Sequence, residues 1–347
     1  MFYIHDTSCI SPQQTFSNID IHALVASVDN KLKVIEPAEY EGIPKNILRR
    51  MGKGARIGVG AALPLISRWA KLAGIIIGTA NGGMEDSVIF LKQIIEYDEG
   101  LLLPGNFVQS TSNAIAAQLS LLSKNKGYNI THVHRGLAFE NAMIDAGMML
   151  REHTDNSYLL GAVDEISTYN YKFEQLEGWY KQAQVSNKDL YQTNTSGSIS
   201  GEAAVMFVVN NNAAGAIAKV TNVITFYTDV VNMMAPALQQ FLGANHLSIK
   251  DIDLLISGEN GDNRLDIFYE ACEALLGGDV TVARFKHMSG EYATASAFAL
   301  WLASCCISSQ PLPDHMIKKT GNAASFKNVL IYNCYKGVQH SFILVTK

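Results

Sequence analysis

The run Ala73–Thr79, AGIIIGT, is the stretch that most restricts what this chain can fold into. It is an unbroken β-branched segment with no polar alternation, the pattern of a strand buried on both faces. Such a strand needs helices above and below its sheet, which points to a layered α/β domain. Asn81-Gly82-Gly83 turns the chain immediately afterwards, and Glu85–Tyr97 has the spacing of an amphipathic helix. The glycine spacing is wrong for a dinucleotide fingerprint, and no acidic residue follows a second strand at the required distance.

The same strand–turn–helix plan recurs in Gly127–Gly147, GYNITHVHRGLAFENAMIDAG. Tyr128, Ile130 and Val133 suit a strand, Leu137, Ala138, Asn141, Ala142 and Ala146 a packed helical face, and Gly136 the tight join. A side chain at such a turn lies beside the helix's unpaired N–H groups, whose partial positive charge favours a thiolate or an oxyanion. The residues found there are Thr131-His132-Val133-His134-Arg135, with no cysteine or serine. Thr131 is the nearest hydroxyl to an imidazole, but adjacent residues on a strand face apart.

Composition narrows the function classes. The chain has 347 residues, 48% of them apolar, and a formal net charge of −5, so it supplies a sizeable core and no basic footprint for nucleic acid. No apolar run is long enough to span a bilayer, and MFYIHDTSCISPQ lacks the basic and apolar regions of a secretory leader. A cytoplasmic location is expected. Cys9, Cys272, Cys305, Cys306 and Cys334 are odd in number and lack C-x-x-C spacing, which favours buried, reduced thiols. His132 and His134 form an H-x-H pair without a third ligand, so neither a metal nor another cofactor is expected.

The segment Thr131–Gly136 resembles the nucleophile motif of the β-ketoacyl synthases, Thr-Ala-Cys-Ala-Ser-Gly in a typical form. Thr131 and Gly136 match, and Val133 stands at the cysteine. Other elements of that family follow the same order along the chain. Ala73–Thr79 is similar to its first core strand, and Pro104, Phe107, Ser110 and Asn113 to the lead-in of its interface helix, read here as one helix through Leu122. Gly161, Asp164 and Glu165, then Gly201-Glu202-Ala203-Ala204, resemble two further strand elements. Lys286 and Gly290 precede the small-residue helix Ala293–Ser304. Tyr335 falls where the family has a gating phenylalanine, between the paired strands Asn328–Cys334 and Gln339–Val345.

The resemblance implies an α/β, thiolase-like αβαβα layered fold of two related halves, 1–212 and 213–347, forming one compact unit. It places the first catalytic histidine at Gly258 or, with a one-residue shift, Glu259, and the second at Glu291. From the residues alone, Ser257–Asp266 reads as a surface loop, Asn170–Ser198 as a loop-rich excursion, and Asp164-Glu165 as a solvated strand end.

Decarboxylative condensation needs a thiolate to carry the acyl group and N–H donors to stabilise the enolate. Val133 can do neither, and a carboxylate at Glu291 would repel an enolate unless protonated. The resemblance then implies a non-catalytic subunit of the chain-length-factor type. Such a subunit pairs with an active β-ketoacyl-ACP synthase and shapes the acyl tunnel in polyketide, aryl-polyene or fatty-acyl synthesis, with an acyl carrier protein as a further partner. Phe107, Asn113, His132, His134, Arg135 and Tyr335 are the tunnel or interface candidates, and Lys286 is retained. The alternative is a free-standing acyltransferase or thioester hydrolase of the same fold, using His134 or Glu291 in place of cysteine.

Overall fold

The computed structural model describes residues 1–69, 71–80, 82–100, 102 and 104–347. The expected turn residue Asn81 lies outside the described residues. In chain order the strands are β1 (Phe2–Ile10), β2 (Lys31–Leu32), β3 (Gly74–Gly78), β4 (Tyr128–His132), β5 (Ser157–Asp164), β6 (Ser200–Gly201), β7 (Ala203–Asn210), β8 (Ala218–Tyr227), β9 (Leu254–Ser257), β10 (Thr281–Arg284), β11 (Ile317–Lys319), β12 (Asn328–Tyr335) and β13 (Gln339–Thr346). All five positions of β3 are buried, as its isoleucine run requires.

One topology occurs twice. Outward from β1 the order is β7, β5, β3, β4; outward from β8 it is β13, β12, β9, β10. In both series the first two pairings are antiparallel and the last two parallel. A short β1–β8 pairing, Phe2 opposite Val220 through Ile4 opposite Ala218, joins the two series. Each parallel step needs a crossover helix, which fixes where the helices must go.

Five layers result. Helices Lys53–Arg68 and Ala114–Ser123 cover the outer face of the first strand series, with Ile57, Leu65, Ile115 and Leu119 packed against Ile75 and Ile77. Helices Met234–Ala244 and Asp266–Glu273 cover the second series through Leu238, Phe241, Phe268 and Tyr269. Between the two strand series, which the β1–β8 pairing joins into one continuous sheet, lie the helices Ala138–Glu152 and Ser296–Ile307. All twelve residues of Ser296–Ile307 are buried, the signature of a helix enclosed on every side. This is the thiolase-like αβαβα arrangement.

Four expectations are corrected. The expected helix through Leu122 is two, Pro104–Gln109 and Ala114–Ser123. The excursion after β5 contains a helix, Thr168–Leu176, capped by Ser167 Oγ accepting from Asn170 N–H. Asp164 and Glu165 are buried rather than solvated, because Thr294, just before the second central helix, and the start of the helix Lys53–Arg68 close over that strand end. Asp164 accepts from Thr79 Oγ1, Ala80 N–H and the N–H and Oγ1 of Thr294, while Glu165 accepts from Gly54 N–H at 2.8 Å. The polar segment 257–262 is also buried: Ser198 Oγ donates to Asn260 O and Lys181 Nζ to Gly261 O, so its backbone groups are satisfied inside the protein.

All five cysteines are buried and unpaired, and burial pushes the Cys9 thiol up to about 12. A histidine array pins the N-terminal loop to the second series. Tyr191 Oη is 3.2 Å from His287 Nδ1, His287 Nε2 is 2.8 Å from His315 Nδ1, and His315 Nε2 is 2.9 Å from Ile21 O. A carbonyl can only accept, so His315 Nε2–H donates to it, His287 Nε2–H donates to His315 Nδ1, and Tyr191 donates to His287. Both rings are thereby fixed as neutral tautomers.

Burial, with His315 and Arg284 adding to it, holds the His287 pKa down to about 3. In the unfolded chain the ring takes up its proton near pH ~6.5. Its stabilising contribution is therefore complete above that pH and falls by up to ~1.4 kcal/mol per unit below it. Urea unfolding at pH 7 and pH 5 should show a smaller acid loss for His287→Gln than for the wild type; equal losses in both proteins would rule this out.

Candidate functional site

The site forms where the segments entering the two central helices meet, beyond the C-terminal ends of β4, β9 and β10. In the second series, Gly290 has φ +72° and lies so close to Gly201 that a Cβ on it would come within 2.5 Å of the Gly201 Cα. Glu291 then pairs with β6 through its backbone: Glu291 N–H donates to Ile199 O at 2.7 Å, and Gly201 N–H donates to Glu291 O at 3.0 Å. These bonds aim the Glu291 side chain into a cleft.

There Glu291 Oε1 accepts from Lys286 Nζ at 2.8 Å and Oε2 accepts from Asn260 Nδ2 at 2.7 Å. Lys286 is fully buried. The residue that meets Glu291 from the β9 loop is therefore Asn260. Gly258 is packed against the Tyr332 carbonyl and Asn333, and Glu259 points to Arg284 and Lys318, away from the cleft.

Around this cluster stand Glu165, Glu174, Trp179, Tyr180, Tyr292 and Tyr335. The enclosed volume is about 30 Å³, room for about one or two water molecules. Burial, reinforced by Asp86 and Glu202, raises the Glu165 pKa to about 7. Burial also raises that of Glu174, against the opposing pull of Lys336. Among the described residues no cluster of three or more His, Cys, Asp or Glu side chains could hold a metal ion.

The β4 turn contributes backbone rather than side chains. A Cβ on Gly136 would lie 2.2 Å from the Tyr335 Cβ, so only glycine lets the β12–β13 loop close down on it. Gly136 N–H donates to Gln339 Oε1. Val133, 52% exposed, does not line the cleft. Thr131 Oγ1 donates to Asn113 Oδ1, His132 Nε2 meets Asp145 Oδ2 at 3.0 Å, and His134 Nδ1 meets Asn141 Nδ2 at 2.8 Å. Thr131 thus has no imidazole partner. His134 and Arg135 are exposed, and Phe107 is exposed beside Phe90.

Residues 27–224, more than half of the chain, match the family model described as "Beta-ketoacyl synthase, N-terminal domain". The chain belongs to the β-ketoacyl synthase family. A comparison with curated proteins finds no significant match. Among solved structures, a β-ketoacyl synthase from Burkholderia phymatum STM815 superposes with a TM-score of 0.79 at 13% identity, covering 100% of this chain and 99% of that one. A ketosynthase in complex with its chain length factor from Xenorhabdus doucetiae gives 0.78 at 12%, covering 99% and 97%. A type II PKS acyl-carrier protein in complex with its ketosynthase gives 0.78 at 14%, covering 99% and 98%. These likenesses establish the thiolase-like fold of this ketosynthase-like chain.

Sequence reasoning did not find Asn260, Glu174, Trp179, Tyr180 or Lys336. The local signals were the adjacent aromatics Trp179-Tyr180 in a polar stretch and the Asn260-Gly261 turn dipeptide. Removing one partner of a buried ion pair strands the other charge, a loss of about 3–5 kcal/mol. Glu291→Ala should therefore destabilise the protein by that order in urea unfolding, and the double variant Lys286→Met/Glu291→Leu should recover most of the loss. A single variant as stable as the wild type would show that the pair contributes nothing.

Proposed function

We propose that this chain is a non-catalytic ketosynthase-like subunit that pairs with an active β-ketoacyl-ACP synthase. The observation that carries the reading is Glu291, whose carboxylate is bound to Lys286 and Asn260 where the family resemblance places a catalytic imidazole. A carboxylate offers no N–H to an enolate, and its charge opposes one. The absence of a nucleophile at Val133 and the small cleft volume support the same reading.

A pairing surface is available. β4 is the terminal strand of the sheet, bonded only to β3 among the described residues, and its outer edge carries free backbone donors and acceptors. Val133 just after that strand is exposed, as are Phe107 and Val108 on the helix Pro104–Gln109 and Leu121 on the helix Ala114–Ser123. The helix Met84–Glu96 has no buried residue and exposes Ile89, Leu91 and Ile95. Apolar surface of this extent fits a partner, and a catalytic ketosynthase of the same fold is the partner we infer. Asn113, His132, His134 and Arg135 belong to this interface in our reading, and Tyr335 closes the chain's own channel. In our reading the chain divides into two related halves at 212/213, between β7 and β8. The product, a polyketide, an aryl polyene or a fatty-acyl chain, would elongate in the partner, with the acyl group delivered by a carrier protein in the cytoplasm.

Co-expression with a ketosynthase encoded alongside it should yield a stable 1:1 heterodimer, and Val133→Arg should weaken that dimer while leaving the melting temperature of the chain unchanged. Val133→Cys should confer no condensing activity. A lone homodimer that turns over acyl thioesters would instead establish the free-standing acyltransferase or hydrolase.

A further inference from the structure

The helix Thr168–Leu176 and the turn after it form the outer wall of the cleft, and they differ from every other wall. The helix has no buried residue and exposes Phe173 and Leu176 to solvent. It begins after the Ser167 cap and ends at Leu176, two residues before Gly178, where φ is +76°. Beyond that point the chain is anchored: Lys181 Nζ donates to Thr195 O, Thr195 Oγ1 and Gly261 O at 2.6–2.9 Å. The loosely packed part is therefore 168–178.

Its charged tie to the rest of the cleft is Lys336. This residue projects from the β12–β13 loop with φ +54°, next to Gly337 at φ +72°. Lys336 Nζ lies 2.8 Å from Glu174 Oε1 and 3.8 Å from Glu177 Oε2. The same ammonium lies 5.0 Å from the centre of the Trp179 ring and 5.5 Å from that of Tyr335, while Arg264 stacks on Trp179 at 4.5 Å. Other contacts of the helix are Glu85 Oε2 accepting from Thr168 N–H, Lys92 Nζ donating to Tyr169 Oη, Lys31 Nζ lying 3.9 Å from the centre of the Tyr171 ring, Gln182 Nε2 donating to Gln175 O, Arg264 Nη2 donating to Gly178 O, and Tyr171 stacking on Tyr180.

We propose that 168–178 is a lid over the Asn260–Glu291–Lys286 cleft and that the Glu174–Lys336 ion pair is the latch that holds it shut. The pair spans from the lid to the loop that rests on Gly136, so releasing it frees one wall while the anchored segment beyond Lys181 keeps its place. This device is independent of which partner the chain binds.

Hydrogen–deuterium exchange on the purified chain tests it. Lys336→Met keeps the aliphatic stem over Trp179 and removes the charge. It should accelerate exchange of amides 168–178 by about tenfold while leaving β5 unchanged. The exchanged pair Glu174→Lys/Lys336→Glu should bring the rate back towards the wild type. Unchanged exchange at 168–178, equal acceleration in β5, or failure of the charge exchange to restore protection would each overturn the proposal.

Discussion

The whole structure depends on burying one helix completely. Ser296–Ile307 has no solvent face, so each side of it must meet apolar surface from a sheet or from its companion helix Ala138–Glu152. Trp301, Phe298 and Leu300 supply bulk, and the alanines let the two strand series approach. Its hydroxyls turn back on the helix where they can, as Ser304 Oγ does to Leu300 O. A helix of this composition alone in water would expose every apolar side chain, so it is held by both strand series at once.

That constraint also creates the cleft. The two central helices are entered from β4 and β10, and packing them together brings Gly136 and Glu291 towards the same place, with the β12–β13 loop lowered onto Gly136. The close approaches at Gly136, Gly201 and Gly290 are what this convergence costs in side-chain volume. The space so formed is filled by Tyr335, by aromatics from the segment after β5, and by a buried ion pair.

The buried pair explains how Glu291 is tolerated in the interior of a ketosynthase scaffold. An unpaired Lys286 in this interior would be strongly unfavourable. Glu291, with Asn260 bonded to its second oxygen, offsets that cost and leaves both carboxylate oxygens satisfied. Glu202 has a comparable structural role, accepting from Val34 and Ile166 N–H groups and pairing with Lys53.

The sequence alone determined the layered α/β plan, because three consecutive isoleucines in β3 and the small, apolar helix 296–307 can be satisfied only between helices and between sheets respectively. Motif order along the chain supplied the family, and with it the expectation that Val133 stands at the nucleophile position. Only the tertiary structure decided that Asn260, rather than Gly258 or Glu259, faces Glu291, and that Asp164, Glu165 and residues 257–262 are interior. Their partners, Gly54, Thr294, Ser198 and Lys181, lie far away in the chain. Local polarity reports a residue's affinity for water, whereas burial depends on whether the rest of the fold brings enough donors and acceptors to replace that water.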